Sequence, residues 1–139
     1  MRIMAFDVGE KKIGVALCDS LELTTRPLCI INRNDDSKAV LELISLAKEN
    51  EVQKVVLGLP LSFDGNEGQA SQKIRLFGQM LSAKTDLPID YFDESGSTKE
   101  ALGIMLKVKS KRQRQSTEDD AIAAAIILRN YLEIHRING

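Results

Sequence analysis

The chain has 139 residues, 43% of them hydrophobic and 28% charged, with a formal net charge of −1. That length suits a single domain, residues 1–139, with one ordinary core, and the composition excludes a disordered or fibrous chain. Near-neutral charge excludes a global pull on polyanions, so any nucleic-acid binding has to come from a local basic patch.

Two apolar runs, Arg2 to Val8 and Lys12 to Asp19, flank the turn Gly9-Glu10-Lys11 and predict a hairpin. The opening has no small-residue cleavage site behind it, and no window approaches the roughly 20 apolar residues that cross a bilayer. A cytoplasmic protein with no membrane contact is therefore expected. Cys18 and Cys29 lie inside apolar runs without CxxC spacing or nearby histidines, which predicts small buried hydrophobes instead of a disulfide or zinc site.

A third run, Pro27 to Asn32, completes a three-stranded antiparallel meander. Helical spacing follows, with Val40, Leu43, Ile44 and Ala47 on one stripe and capping chemistry in Asp35, Asp36 and Ser37. Val55 to Gly58 predicts a short buried strand, and a loop punctuated by glycine and proline runs on to Gly68. A helix from about Gln69 to Lys84 and a strand from Ile89 to Asp93 come next. Ser97-Thr98-Lys99-Glu100 is a capping box opening a helix that ends near Val108, and Thr117 to about His135 forms the last helix. This order predicts an α/β fold. Its mixed five-stranded sheet has three meander strands, two parallel strands and helices on both faces.

Acids at the ends of these elements are the candidate chemistry. Hard divalent cations take carboxylate oxygens, and phosphodiester hydrolysis at a metal site needs carboxylates converging from separate elements. Asp7 ends the first strand and is followed by Gly9, although a strand-terminal Asp that only bonds its turn is the plain alternative. Asp93 and Glu94 close the Ile89 strand, and alternation allows only one of them to share Asp7's face; pattern leaves the choice open. At about 100° per residue Asp120 shares a helix face with Ala124, Ile127 and Tyr131, whereas Arg129, Glu133 and Arg136 cluster opposite. A carboxylate on an apolar face is paired or cation-bound, unless Asp120 merely completes a Thr117 cap.

Lys107, Lys109, Lys111, Arg112 and Arg114 form a basic run without an acid among them, suited to neutralising phosphates just before the helix that bears Asp120. Lys11 and Lys12 in the hairpin, and Ser62 and Asn66 in the central loop, are further candidate backbone contacts. His135, the only histidine, suits a helix C-terminus better than catalysis. No GxGxxG or GxxxxGK[ST] fingerprint supports dinucleotide or P-loop binding.

With these residues placed, the chain resembles the YqgF (RuvX) family, described as pre-16S ribosomal RNA nucleases and as Holliday junction resolvases. Asp7-Val8-Gly9 with Lys12-Ile13-Gly14-Val15-Ala16 resembles that family's opening DxGxKxIGxA. Gly58-Leu59-Pro60 resembles its GLP, Asp93-Glu94 with Ser97-Thr98 its acidic strand end, and Asp120 to Ala124 with Ile127-Leu128 its terminal DxxAAxxIL helix. The resemblance covers essentially the whole chain. It implies an RNase H-like fold, Mg²⁺ or Mn²⁺ as cofactor, and Asp7, Glu94 and Asp120 as catalytic metal ligands, choosing Glu94 over Asp93. Structured RNA, above all a pre-16S rRNA, is the implied substrate, with branched DNA as the alternative, and the protein is expected as a monomer or homodimer.

Two positions depart from the pattern: Ser95-Gly96 stands where the family has Arg and an apolar residue, and Glu10 replaces a small hydroxyl residue. The first departure favours a rival reading, a nucleic-acid-binding factor without cleavage activity. A second rival, an actin-like phosphotransferase or ATPase, shares the DxGxxxxGxA hairpin but normally closes two such domains around its nucleotide.

Overall fold

The computed structural model describes residues 1–22, 24–59, 69–93 and 117–138, with backbone alone for 69–70, 93, 117–120 and 135–138. The helix predicted from Ser97 to Val108 lies outside these residues. Five strands are β1 (Ile3–Val8), β2 (Lys12–Cys18), β3 (Thr25–Asn32), β4 (Lys54–Leu59) and β5 (Ile89–Asp93), joined by helices α1 (Asp36–Glu49), α2 (Gln69–Ser82) and α3 (Thr117–Asn138). Their order across the sheet is β3-β2-β1-β4-β5. The first three strands are antiparallel, whereas β4 runs parallel to β1 and β5 parallel to β4. The predicted meander and parallel pair are therefore both present, in one mixed α/β sheet.

The near-continuous apolar runs of β1 and β2 follow from cover on both faces. Met4, Phe6 and Val8 of β1 join Ile13, Val15 and Leu17 of β2 in one core under α1 and α2. Ile3 and Ala5 alternate to the other side, where they meet Ala16, Cys18, Val56, Phe92 and the α3 residues Ala124, Ile127 and Leu128. The two cores are separated by the sheet itself.

Helix α1 buries Val40, Leu43, Ile44 and Ala47 as its spacing predicts, and Asp35 is its N-cap, accepting from the backbone N–H of Ser37 and Lys38. Asp36, one residue inside, serves a different purpose described below. Strand β3 lies at the sheet edge, where Pro27 is tolerated because no partner strand needs its missing donor. Pairing passes from Val15↔Cys29 to Ala16↔Pro27, so Leu28 is the extra residue of a bulge.

That edge position corrects one expectation. Cys18 is buried as foreseen, but Cys29 is half-exposed, because β3 is the edge strand among the described residues. Burial pushes both thiols above the usual cysteine value, so neither is poised as a nucleophile. Among the described residues no helix is long and apolar enough to cross a membrane.

Helix α2 packs against β4 and β5 through Gly78. A Cβ there would collide with the Tyr91 hydroxyl and lie 3.0 Å from Leu57 Cδ1, so the helix approaches the sheet only because this residue has no side chain. An exposed helical Gly→Ala change stabilises by about 1 kcal/mol, but overpacking costs about 1–3 kcal/mol. Gly78→Ala is therefore expected to lower the urea midpoint of unfolding despite the better helix former. An unchanged or raised midpoint would show that α2 has room at this point.

Candidate active site

Asp7 is the last but one residue of the central strand and is half-exposed. Alternation puts it on the face of Ile3 and Ala5, the face covered by α3. Its partner on β2 is Gly14, which in turn pairs with Ile30 of β3. On the other side the parallel register Phe6↔Leu57, carried one residue further, brings Asp7 level with Gly58, whose neighbour on β5 is Phe92. The carboxylate is thus flanked across the sheet by two glycines. Cross-strand neighbours in an antiparallel pair normally bring their Cβ atoms to about 4.5–5.5 Å of one another, and at Gly14 that neighbouring side chain is missing.

The turn after Asp7 is tied down. Gly9 N–H donates to the Lys12 carbonyl at 2.9 Å, and a Cβ on Gly9 would lie 2.9 Å from that same oxygen. Glycine is needed here for close approach of backbone to backbone. From the β3–α1 connection, the Arg33 backbone N–H donates to the Lys11 carbonyl at 2.8 Å, and its Nη1 donates to the Gly9 carbonyl at 2.9 Å. Asp36 holds the guanidinium from below through Nε at 2.9 Å, and the Phe77 ring lies 5.1 Å from it. Charge-assisted bonds of this kind are stronger than neutral ones, so Arg33 latches the hairpin tip to the start of α1. Sequence reasoning passed over Arg33, whose only signal was a cation placed three residues before an acid at a helix start.

At the far end of the same face, the rotation of α3 is set by Tyr131. Its hydroxyl donates to Asp90 Oδ2 at 2.8 Å, and its ring meets Phe92 edge-on with centroids 6.0 Å apart. Lys54 Nζ lies 3.6 Å from the same Asp90 oxygen and 5.1 Å from the Tyr131 ring centroid. Eleven residues of helix make about three full turns plus roughly 20°, so the azimuth fixed at Tyr131 is also the azimuth of position 120. Ala124 and Ile127, the other members of the predicted inward face, are buried as well. At the amino-terminal end of α3, Ala121 lies beside Lys12, Ile30 and Asn32 in one groove.

Of the predicted ligands, the side chain of Asp7 alone is described; Asp120 is placed within α3 by its backbone, and Glu94 lies outside the described residues. Phe92, two residues before Glu94, is on Asp7's face. Among the described residues no three acidic, histidine or cysteine side chains form a metal-holding group. Lys12 is half-buried on Asp7's face and Lys11 is exposed in the turn. Ser62, Asn66, Lys107, Lys109, Lys111, Arg112 and Arg114 lie outside the described residues.

The profile described as "RuvX: Holliday junction resolvase" matches residues 1–134. Relatives named "Putative pre-16S rRNA nuclease" include one from Syntrophus aciditrophicus, 38% identical over 96% of this chain and 89% of its own length. One from Clostridioides difficile is 37% identical over 99% of this chain and 97% of its own. Among solved structures, Thermus thermophilus RuvC in complex with a Holliday junction substrate superposes with a TM-score of 0.58 at 13% identity, covering 98% of this chain and 96% of that one. The fowlpox virus Holliday junction resolvase does so with 0.58 at 19% identity, covering 96% and 99%. At these identities the structures establish the shared fold.

Burial, with the Asp90 carboxylate beside it, pushes the Tyr131 hydroxyl well above the usual tyrosine value. Folding therefore holds a proton that the unfolded chain gives up near pH 10, and the stability due to it is complete below that pH and lost as pH rises above it. Tyr131→Phe is expected to cost roughly 1.5–3 kcal/mol at neutral pH, the range for a hydrogen bond to a charged group. The gap between wild type and variant should narrow above about pH 10. Urea unfolding of both proteins across that range measures it; a gap that is constant or widens would refute the bond's part in anchoring α3.

Proposed function

As this chain belongs to the RuvX family, we propose that it is a divalent-metal-dependent nuclease whose substrate is a structured RNA, the precursor of 16S ribosomal RNA. The observation that carries the reading is Asp7 itself: a carboxylate at the end of the central strand, on the face of the last helix, with a glycine on either side. A hard cation suits that position, because the donor is an oxygen anion and the residues level with it on the adjoining strands carry no side chains.

Asp7, Glu94 and Asp120 are the proposed ligands. Strand alternation counts Glu94, not Asp93, with Phe92 and Asp7, and helical periodicity counts Asp120 with Tyr131, Ile127 and Ala124. Mg²⁺ or Mn²⁺ supplies Lewis-acid stabilisation of phosphoryl charge and eases deprotonation of water. The chain's own share is to hold three carboxylates at fixed spacing: Asp7 through a doubly covered strand and a latched turn, Asp120 through the anchored azimuth of α3. Lys11, Lys12, Ser62, Asn66, Lys107, Lys109, Lys111, Arg112 and Arg114 would grip the sugar-phosphate backbone, so that binding weakens as salt rises.

The RNA substrate rests on the names of full-length relatives at 34–38% identity. The profile's own description favours a second reading, resolution of four-way DNA, which requires two sites on a symmetric dimer. A 16S precursor and a four-way DNA junction, each offered with Mg²⁺, Mn²⁺ or chelator, separate the two readings. The precursor is expected to be cut with metal only, and Asp7→Asn to lower the rate a hundredfold or more, on the order of 3 kcal/mol, with an unchanged unfolding midpoint. Cleavage of the junction alone would transfer the assignment to DNA. RNA binding without turnover would make the protein a non-catalytic binding factor.

A further inference from the structure

Beside Asp7, on the α3 side of the sheet, a groove of about 510 Å³ runs along β3, the edge strand among the described residues. Pro27 and Ile30 line it from the strand, Lys12 and Asn32 border it, and Ala121 of α3 stands at its inner end. We propose that this groove is a nucleotide subsite: it takes the base adjoining the scissile phosphate of a single-stranded RNA segment, with Pro27 and Ile30 as its apolar wall and Lys12 and Asn32 on the phosphate.

Position is the first ground. Asp7 pairs with Gly14, so Lys12 is its diagonal neighbour on the same face, on the order of 7–8 Å away, and Lys12 pairs in turn with Asn32. The inner end of the groove is formed by the residue following Asp120. Among the described residues, no element separates a strand held at Asp7 from the groove. Charge is the second ground: Lys12 forms no ion pair with any described residue, and beside it Asn32 offers both a donor and an acceptor.

The shape of the edge is the third. An open sheet edge would ordinarily invite another strand, but Pro27 removes a donor and the Leu28 bulge breaks the pairing rhythm. The wall suits a flat apolar partner better than a β-strand. The volume falls within the roughly 300–1,000 Å³ of small-ligand sites, and a base has an apolar face for aliphatic side chains even in a chain with few aromatics.

The subsite presupposes the nuclease reading, and the test separates the two. Wild type first locates the cleaved bond in a precursor RNA; Asp7→Asn is then bound to the same RNA carrying a single photoreactive thiouridine at successive positions around that bond. Crosslinks to the peptide containing residues 27–32 are expected from one or two adjacent positions on one side. In the Asp7→Asn background, Ile30→Trp, which fills the groove, should weaken RNA binding about tenfold, and Asn32→Ala, at an exposed position, should weaken it in the same direction. Unchanged affinity in both variants, or crosslinks that avoid residues 27–32 while wild type still cuts the RNA, would overturn the subsite and leave the nuclease reading standing. Failure of wild type to bind or cut RNA would overturn both.

Discussion

Strand β1 is covered on both faces, and each of its side chains must enter one of two separate cores. Met4, Phe6 and Val8 go to the α1–α2 side, and Ile3 and Ala5 to the α3 side. Asp7 falls in the second series by parity alone. A carboxylate there would carry a heavy desolvation cost if the strand ran deeper into the core, so it stands where cover ends and its cross-strand neighbours have no side chains. Burial, alternation and the two glycines act on one position. Together they give an oxygen donor flanked by strand positions without side chains.

Two anchors at opposite ends of the sheet hold the surroundings of that donor. Near it, Arg33 ties the hairpin turn to Asp36 and through it to α1. Far from it, Tyr131, Asp90 and Lys54 hold α3 to β4 and β5, in an arrangement half electrostatic and half aromatic. Neither anchor belongs to the proposed chemistry. Each limits the movement of an element that carries a proposed ligand.

Much of this was legible beforehand, for physical reasons. Runs such as Ile3 to Val8 and Lys12 to Cys18 can be satisfied only by strands covered on both faces, and the α1 stripe of Val40, Leu43, Ile44 and Ala47 only by a helix lying on a sheet. The antiparallel-then-parallel order followed from where helices first interrupt the chain. Motif glycines at 14 and 58 were visible, but their meeting on either side of Asp7 was not, since Gly58 is brought there by the register between β1 and β4, which are far apart in the chain. Cys29 looked buried because composition does not reveal which strand ends at an edge. Asp90 looked like an ordinary strand residue, and its bond to Tyr131 links positions 41 apart.

The central claim is that the Asp7 carboxylate binds a divalent cation on the α3 side of the sheet. Crystals soaked in Mn²⁺ and measured for anomalous scattering address it without reference to any substrate. The account predicts a Mn²⁺ peak roughly 2.1 Å from an Asp7 oxygen, on the face of Ile3 and Ala5, and its loss in Asp7→Asn. A fully occupied Mn²⁺ elsewhere, with Asp7 bonded only to its own turn, would contradict it.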